Sequence, residues 1–159
     1  MKSVAILADI RSVINVGAIF RTCDAVGISK IYLTGITPTP LDRFGRTRND
    51  LVKSALGAEK TIDWEFSQEI VPVLENLKKD GYKIIAIEQA STSIDYKKVH
   101  QLIKEDSKIA FLVGNEVAGV PESILKLCDI VAQIPMKGGK ESLNVSTAFG
   151  IAVFRILEV

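Results

Sequence analysis

Six short apolar runs, Ser3–Ala8, Lys30–Thr34, Thr61–Phe66, Lys83–Ile87, Ile109–Val113 and Ile130–Ile134, recur along this chain, separated by helical patterns or long loops. Each has strand length, and those at Lys83–Ile87 and Ile109–Val113 are apolar enough to be buried on both faces. Strands joined through helices pair in parallel by right-handed crossovers. The class that follows is α/β, with a mainly parallel sheet covered by helices on both faces. The chain has 159 residues with 47% hydrophobic content, which suits one domain with a sizeable core and no linker.

The intervening helices can be placed from caps and periodicity. Asn15 is expected to cap a helix over Val16–Val26 that Gly27 closes. Gln68–Asp80 is amphipathic, with Ile70, Val71, Leu74 and Leu77 on one face, Pro72 in its first turns and Gly81 after its end. A helical turn over Leu51–Leu56, a helix from Pro121 to about Leu127, and a last helix over Val145–Ile156 behind an Asn144 cap complete the set. Tyr96–Glu105 reads as irregular or weakly helical.

Charge and residue usage exclude several functions. Lys plus Arg number 20 against 19 Asp plus Glu, so any polyanion site must be local. Two cysteines, Cys23 and Cys128, stand in no framework spacing and read as small buried apolar residues. One histidine, His100, leaves neither a His-based metal site nor a Ser-His relay attractive, and no metal is expected. The opening MKSVAILADIR is too short in its apolar part for a signal peptide, and no apolar run reaches the roughly 18 residues of a membrane span. A cytoplasmic protein without a membrane partner is expected.

Function should gather in the loops. Gly35–Asn49 (GITPTPLDRFGRTRN) holds two prolines, two glycines and three arginines. Arg43, Arg46 and Arg48, with Lys53 beyond, form the one concentrated positive patch: either a solvated loop or, for a loop of this length, a phosphate contact. Glu88 and Gln89 follow a strand at its carboxyl end, where open α/β sheets bind ligands. The segment IPMKGGKESLNVS offers Ser142, Asn144 and helix-start N–H groups to a polar ligand; its plainer reading is a turn and a cap.

Three segments, NVGAIFRTCDAVG, FLVGNEVAGV and IPMKGGKESLNVS, in this order and spacing resemble the three motifs of the SpoU/TrmH branch of the SPOUT superfamily, whose members are RNA ribose 2′-O-methyltransferases. The resemblance spans nearly the whole catalytic domain, and it implies a deep carboxyl-terminal trefoil knot, which periodicity alone would never suggest. It also implies S-adenosylmethionine bound by loops that include Glu88, Gln89, Val113, Gly114, Ile134, Met136, Ser142 and Leu143, with main-chain groups of Ile134, Met136 and Leu143 recognising adenine. Asn15 and Arg21 match the first motif's polar pair, Glu116 the second motif's acid, and Ser142 and Asn144 the third motif's pair. Plainer roles stand beside these: Asn15 as a cap, Arg21 as a surface charge, Glu116 as a loop brace. An arginine amid the small and apolar residues AIFRTCDAVG calls for a partner.

Family members are homodimers with active sites near the interface, so Arg21 is expected to serve a cofactor on the other protomer. The implied substrate is a transfer or ribosomal RNA, contacted by Arg21, Arg43, Arg46, Arg48 and Lys53. Residues 1–159 match the family's minimal, single-domain form without an RNA-binding extension. Alternatives are a relative that methylates a base nitrogen, or an idle member that binds RNA or cofactor.

Overall fold

The computed structural model describes residues 1–159. Seven strands, β1 (Lys2–Ala8), β2 (Lys30–Thr34), β3 (Asp63–Ser67), β4 (Tyr82–Ile87), β5 (Ile94–Asp95), β6 (Lys108–Val113) and β7 (Ile130–Gln133), form one sheet in the order β3-β2-β1-β6-β4-β7-β5. Every pairing is parallel. Six helices, α1 (Val13–Val26), α2 (Asn49–Ala55), α3 (Ala58–Thr61), α4 (Ile70–Lys79), α5 (Glu122–Leu125) and α6 (Val145–Leu157), cover it, with a 3-10 helix over Tyr96–Leu102.

The continuous apolar runs are explained by a sheet that is dry on both sides. Ala5 and Leu7 of β1, Ile109, Phe111 and Val113 of β6, and Ile85 and Ile87 of β4 enter a core shared with α1, α2, α6 and the 3-10 helix. Their alternating neighbours, Val4, Ile6, Ala110, Leu112, Ile84 and Ala86, pack on the other face with α4 and α5. Phe20, Phe111 and Phe149 are fully buried in the first core. Truncating one of them to alanine costs about 3–5 kcal/mol.

Several expectations are corrected. Helix α1 starts three residues earlier than its pattern implied, and its cap is Ser12, whose Oγ accepts from the Asn15 main-chain N–H at 3.3 Å. Asn15 therefore lies inside the first turn, leaving its side chain free for a distant partner. Gly27 closes the helix as expected, at φ 75°. In α4 the buried face is Val73, Leu74 and Leu77 with Ile70 partly covered, while Val71 is 38% exposed. Positions 70, 73, 74 and 77 are the i, i+3, i+4, i+7 stripe, and Val71 falls beside it. Helix α5 is a single turn and stops at Leu125. Edge strand β3 starts two residues late because Ala58–Thr61 coils first, and β5 is too short to leave a periodic signal.

Both cysteines are free. Burial pushes the Cys23 thiol well up, and it pushes Cys128 up to about 11 against a smaller opposing pull from Lys78. Neither is a thiolate at neutral pH. No helix is long and apolar enough to cross a membrane.

The strand order reverses direction between β1 and β6, the place where an open α/β sheet leaves a crevice at its carboxyl edge. The loops leaving β1, β6, β4 and β7, four neighbouring strands, all emerge there.

Candidate functional site

A cavity of about 260 Å³ lies beyond the carboxyl ends of β4, β6 and β7, against the start of α6. Glu88, Gln89, Val113, Gly114, Ile134, Met136, Ser142 and Leu143 all line it, together with Glu116 and Asn144. Residues from three separate stretches of chain thus converge as expected. Gln133, Ala132 and Ala148 also line it; as a strand end and a helix face they carried no distinctive signal.

Close approach of backbone shapes the walls. A Cβ on Gly114 would stand 2.6 Å from Val120 Cγ2 and 2.7 Å from the carbonyl carbon and oxygen of Gly119, so only glycine lets the β6 loop fold back on itself. Glu88 ties that loop to β4: one carboxylate oxygen accepts from Gln89 N at 2.8 Å, the other from Val120 N at 2.9 Å. Gln89 Nε2 donates to the Glu141 carbonyl at 2.7 Å and so holds the last loop against the cavity. That carbonyl apart, no main-chain N–H or C=O from Pro135 to Leu143 bonds within the chain.

One polar chain runs along the rim. Asn144 caps α6, its Oδ1 accepting from Ser146 N at 2.9 Å and Thr147 N at 3.3 Å. Its Nδ2 donates to Asn15 Oδ1 at 3.0 Å, and Asn15 Nδ2 donates to Glu116 Oε1 at 2.9 Å. Glu116 also accepts from Ser12 N at 3.0 Å and Arg11 N at 2.9 Å. Both amide orientations are dictated from the ends, because the helix N–H groups can only donate and the carboxylate can only accept. Partial burial pushes the Glu116 carboxyl up, but bonds from Arg11 N–H, the Asn15 amide and Ser12 N–H outweigh it and hold the group below the usual glutamate value. Glu116 is thus a brace for the start of α1, and Asn144 is both a cap and a link. Ser142 lines the cavity with its hydroxyl in no intrachain hydrogen bond.

Supporting residues escaped sequence reading. Asn115 Oδ1 accepts from Val117 N and Ala118 N, both at 2.9 Å, and its Nδ2 donates to the Asp9 carbonyl at 2.8 Å. The GNEVAG spelling, an Asx residue ahead of a glycine turn, was the available signal. Buried Thr37 donates to the Leu7 carbonyl at 3.0 Å and accepts from Ile10 N at 3.1 Å, joining the loop after β2 to the start of the site.

Arg21 does not join this assembly. It is exposed on α1, outside the cavity lining and in no hydrogen bond or ion pair, so its own chain supplies no partner for it. A position six residues beyond Asn15 falls on another face of the helix. The arginine loop is partly neutralised: Arg46 Nε pairs with Asp42 at 2.8 Å and Arg48 with Asp50 at 3.2 Å, whereas Arg43 and Lys53 have no acidic partner.

Residues 2–154 match the model of the SpoU rRNA Methylase family. Among curated relatives, the chain is 29% identical over 151 residues to the 23S rRNA (guanosine-2′-O-)-methyltransferase RlmB of Coxiella burnetii, covering 95% of this chain and 56% of that protein. It is 30% identical over 154 residues to the tRNA (guanosine(18)-2′-O)-methyltransferase of Aquifex aeolicus, covering 96% of this chain and 68% of that one. The crystal structure of an AdoMet-bound rRNA methyltransferase from Sinorhizobium meliloti superposes with a TM-score of 0.84 at 27% identity, over 99% of this chain and 56% of that one. This chain therefore spans little more than half the length of several proteins it matches.

Proposed function

The chain belongs to the SpoU rRNA methylase family, and from that premise we propose that it transfers a methyl group from S-adenosylmethionine to a ribose 2′-hydroxyl of a structured transfer or ribosomal RNA. The observation that carries this reading is the convergence of the loops after β4, β6 and β7 on one cavity whose rim is the Glu116–Asn15–Asn144 chain.

The residues present suit the cofactor. Val113, Ile134, Leu143 and Ala148 supply apolar wall, and the unpaired main-chain groups between Pro135 and Leu143 can recognise a heterocycle's edge. Ile134, Met136 and Leu143 are the residues proposed to do so, with Glu88, Gln89 and Gly114 shaping the far wall. When bound, S-adenosylmethionine supplies a methyl group already activated by a positively charged sulfur. The chain's own task is then positioning and charge. Asn15, Glu116 and Asn144 keep the α6 start and the last loop in one arrangement, and the free Ser142 hydroxyl is available to hold the incoming ribose.

Arg21 is proposed to grip a phosphate of the RNA and to stabilise the developing alkoxide while the hydroxyl's proton passes to solvent water; a guanidinium is too weak an acid to be deprotonated and act as the base. Since Arg21 lies off its own chain's cavity, we assign it to the cavity of a second copy in a homodimer. Ile14 of α1 and Ile151 and Phe154 of α6, all exposed, support contact through these helices. We further propose that the carboxyl-terminal segment is knotted, which β7 seated between β4 and β5 and the Gln89–Glu141 tie support.

The test is transfer of label from S-adenosylmethionine to total RNA separated by size, using the native chain and Arg21→Ala. Label on ribose oxygen in one fraction, lost in the variant, is the expected result. Cofactor binding without label in any fraction, or label on a base nitrogen, would overturn the reading.

A further inference from the structure

The loop after β2 carries a feature that positive charge alone does not explain. Phe44 is 65% exposed at the tip of a hairpin-like turn, closed by an antiparallel bridge between Leu41 and Thr47. The guanidinium carbons of Arg43 and Arg46 stand 4.8 and 5.0 Å from its ring centroid. The turn is held by Asp42, whose carboxylate accepts from Phe44 N at 2.8 Å, Arg46 N at 2.9 Å and Arg46 Nε at 2.8 Å. Gly45 takes the left-handed conformation, at φ 75°, that the tip requires. An aromatic ring and two guanidinium planes are therefore assembled on an ordered surface turn, and no part of the core needs them.

We propose that this Arg43–Phe44–Arg46 cluster is a stacking platform for an unpaired base of the RNA, so that the enzyme reads a loop or single-stranded segment rather than a duplex. The inference rests on the RNA-methylation reading above and names the form of RNA that the loop selects. Every base has a π-face, and aromatic rings and guanidinium planes stack on it whatever the sequence. An A-form duplex keeps those faces stacked internally and offers phosphates and 2′-hydroxyls, for which a bare arginine would suffice and an exposed phenylalanine would not help. Arg43, without a carboxylate partner, remains free to meet the phosphate beside a splayed nucleotide. The platform also sits on the right edge of the sheet. Thr37 and Asp9 bind the root of this loop to the β1–α1 turn, Asp9 Oδ1 accepting from Ile36 N at 3.1 Å, and that same turn donates its N–H groups to Glu116.

The test uses the full chain without methyl donor and two fluorescein-labelled probes: an RNA hairpin with an unpaired loop, and a fully paired duplex of the same base composition. Fluorescence anisotropy at fixed salt would compare the native chain with Phe44→Ala, whose fold is checked by its melting temperature. Hairpin binding should weaken roughly 5- to 150-fold in the variant while duplex binding stays unchanged. In a Trp64→Phe background, Phe44→Trp provides the chain's sole indole, and its emission should be quenched by the hairpin and not by the duplex. Unchanged hairpin affinity in Phe44→Ala, equal loss for both probes, or no quenching would overturn the platform while leaving methyl transfer, measured separately by label, intact. If the native chain bound neither RNA, or if the cluster bound anionic vesicles instead, the platform and the RNA reading would fail together.

Discussion

Replacing Glu116 by glutamine tests the rim most sharply, because it changes one atom in a chain whose polarity is set from both ends. If the glutamine oxygen takes the place of Oε1, the bonds from Ser12 N–H and Asn15 Nδ2 survive, but an NH₂ group now faces Arg11 N–H. The opposite orientation strands two donors, and turning Asn15 to compensate would set its NH₂ against Asn144, whose own orientation is held by the α6 cap. At least one charge-assisted bond is lost in either case. Such a bond contributes about 1.5–3 kcal/mol, and solvent around this half-exposed carboxylate reduces the cost to about 1–2 kcal/mol. For a chain of this size that is a fall in melting temperature of roughly 2–8 °C. The sign with pH follows from the depressed folded pKa of Glu116. Its contribution is fully present above the ordinary glutamate value of about 4.3 and is lost as pH falls through the lower folded value. Thermal unfolding of both proteins from neutral to acidic pH would therefore show a constant gap that closes only below about pH 4.3. Equal melting temperatures at neutral pH, or a gap that persists when the carboxyl is protonated, would refute the brace.

Gly114→Ala should destabilise by about 1–3 kcal/mol through overpacking against Gly119 and Val120, and should weaken S-adenosylmethionine binding by deforming a cavity wall; melting with and without cofactor measures both. Arg21→Ala should leave stability within about 0.5 kcal/mol, because the side chain is exposed and unpaired, and should retain cofactor affinity while abolishing methyl transfer. Arg21→Lys keeps part of the activity if charge suffices, and none if the planar fork is required. Gln89→Ala frees the Glu141 carbonyl, so cofactor affinity by calorimetry should fall roughly 2- to 12-fold.

By itself the sequence determined the main strands and helices and the parallel α/β class, and its three motifs pointed to the loops that line the cavity, though not to Asn115, Ala132, Gln133 or Ala148. These are carried by local signals: apolar runs of strand length, caps within a few residues of a helix start, and three motifs at strand ends. Tertiary structure decided what those signals leave degenerate. Asn15 has the right chemistry for a cap, and only the competing Ser12, with a carboxylate 101 positions away to receive the amide, turned it into a link of the rim. The Asn144–Asn15 bond spans 129 positions, far beyond any helical or strand period. Arg21 reads as a residue in need of a partner, and only the fold shows that its face of α1 is exposed and that its own chain supplies none. The order that sets β6 between β1 and β4 was likewise invisible, since both faces of those strands are equally apolar and any neighbour could have buried them. Periodicity reports which side of an element is dry; what lies across from it is chosen by the packing of the whole chain.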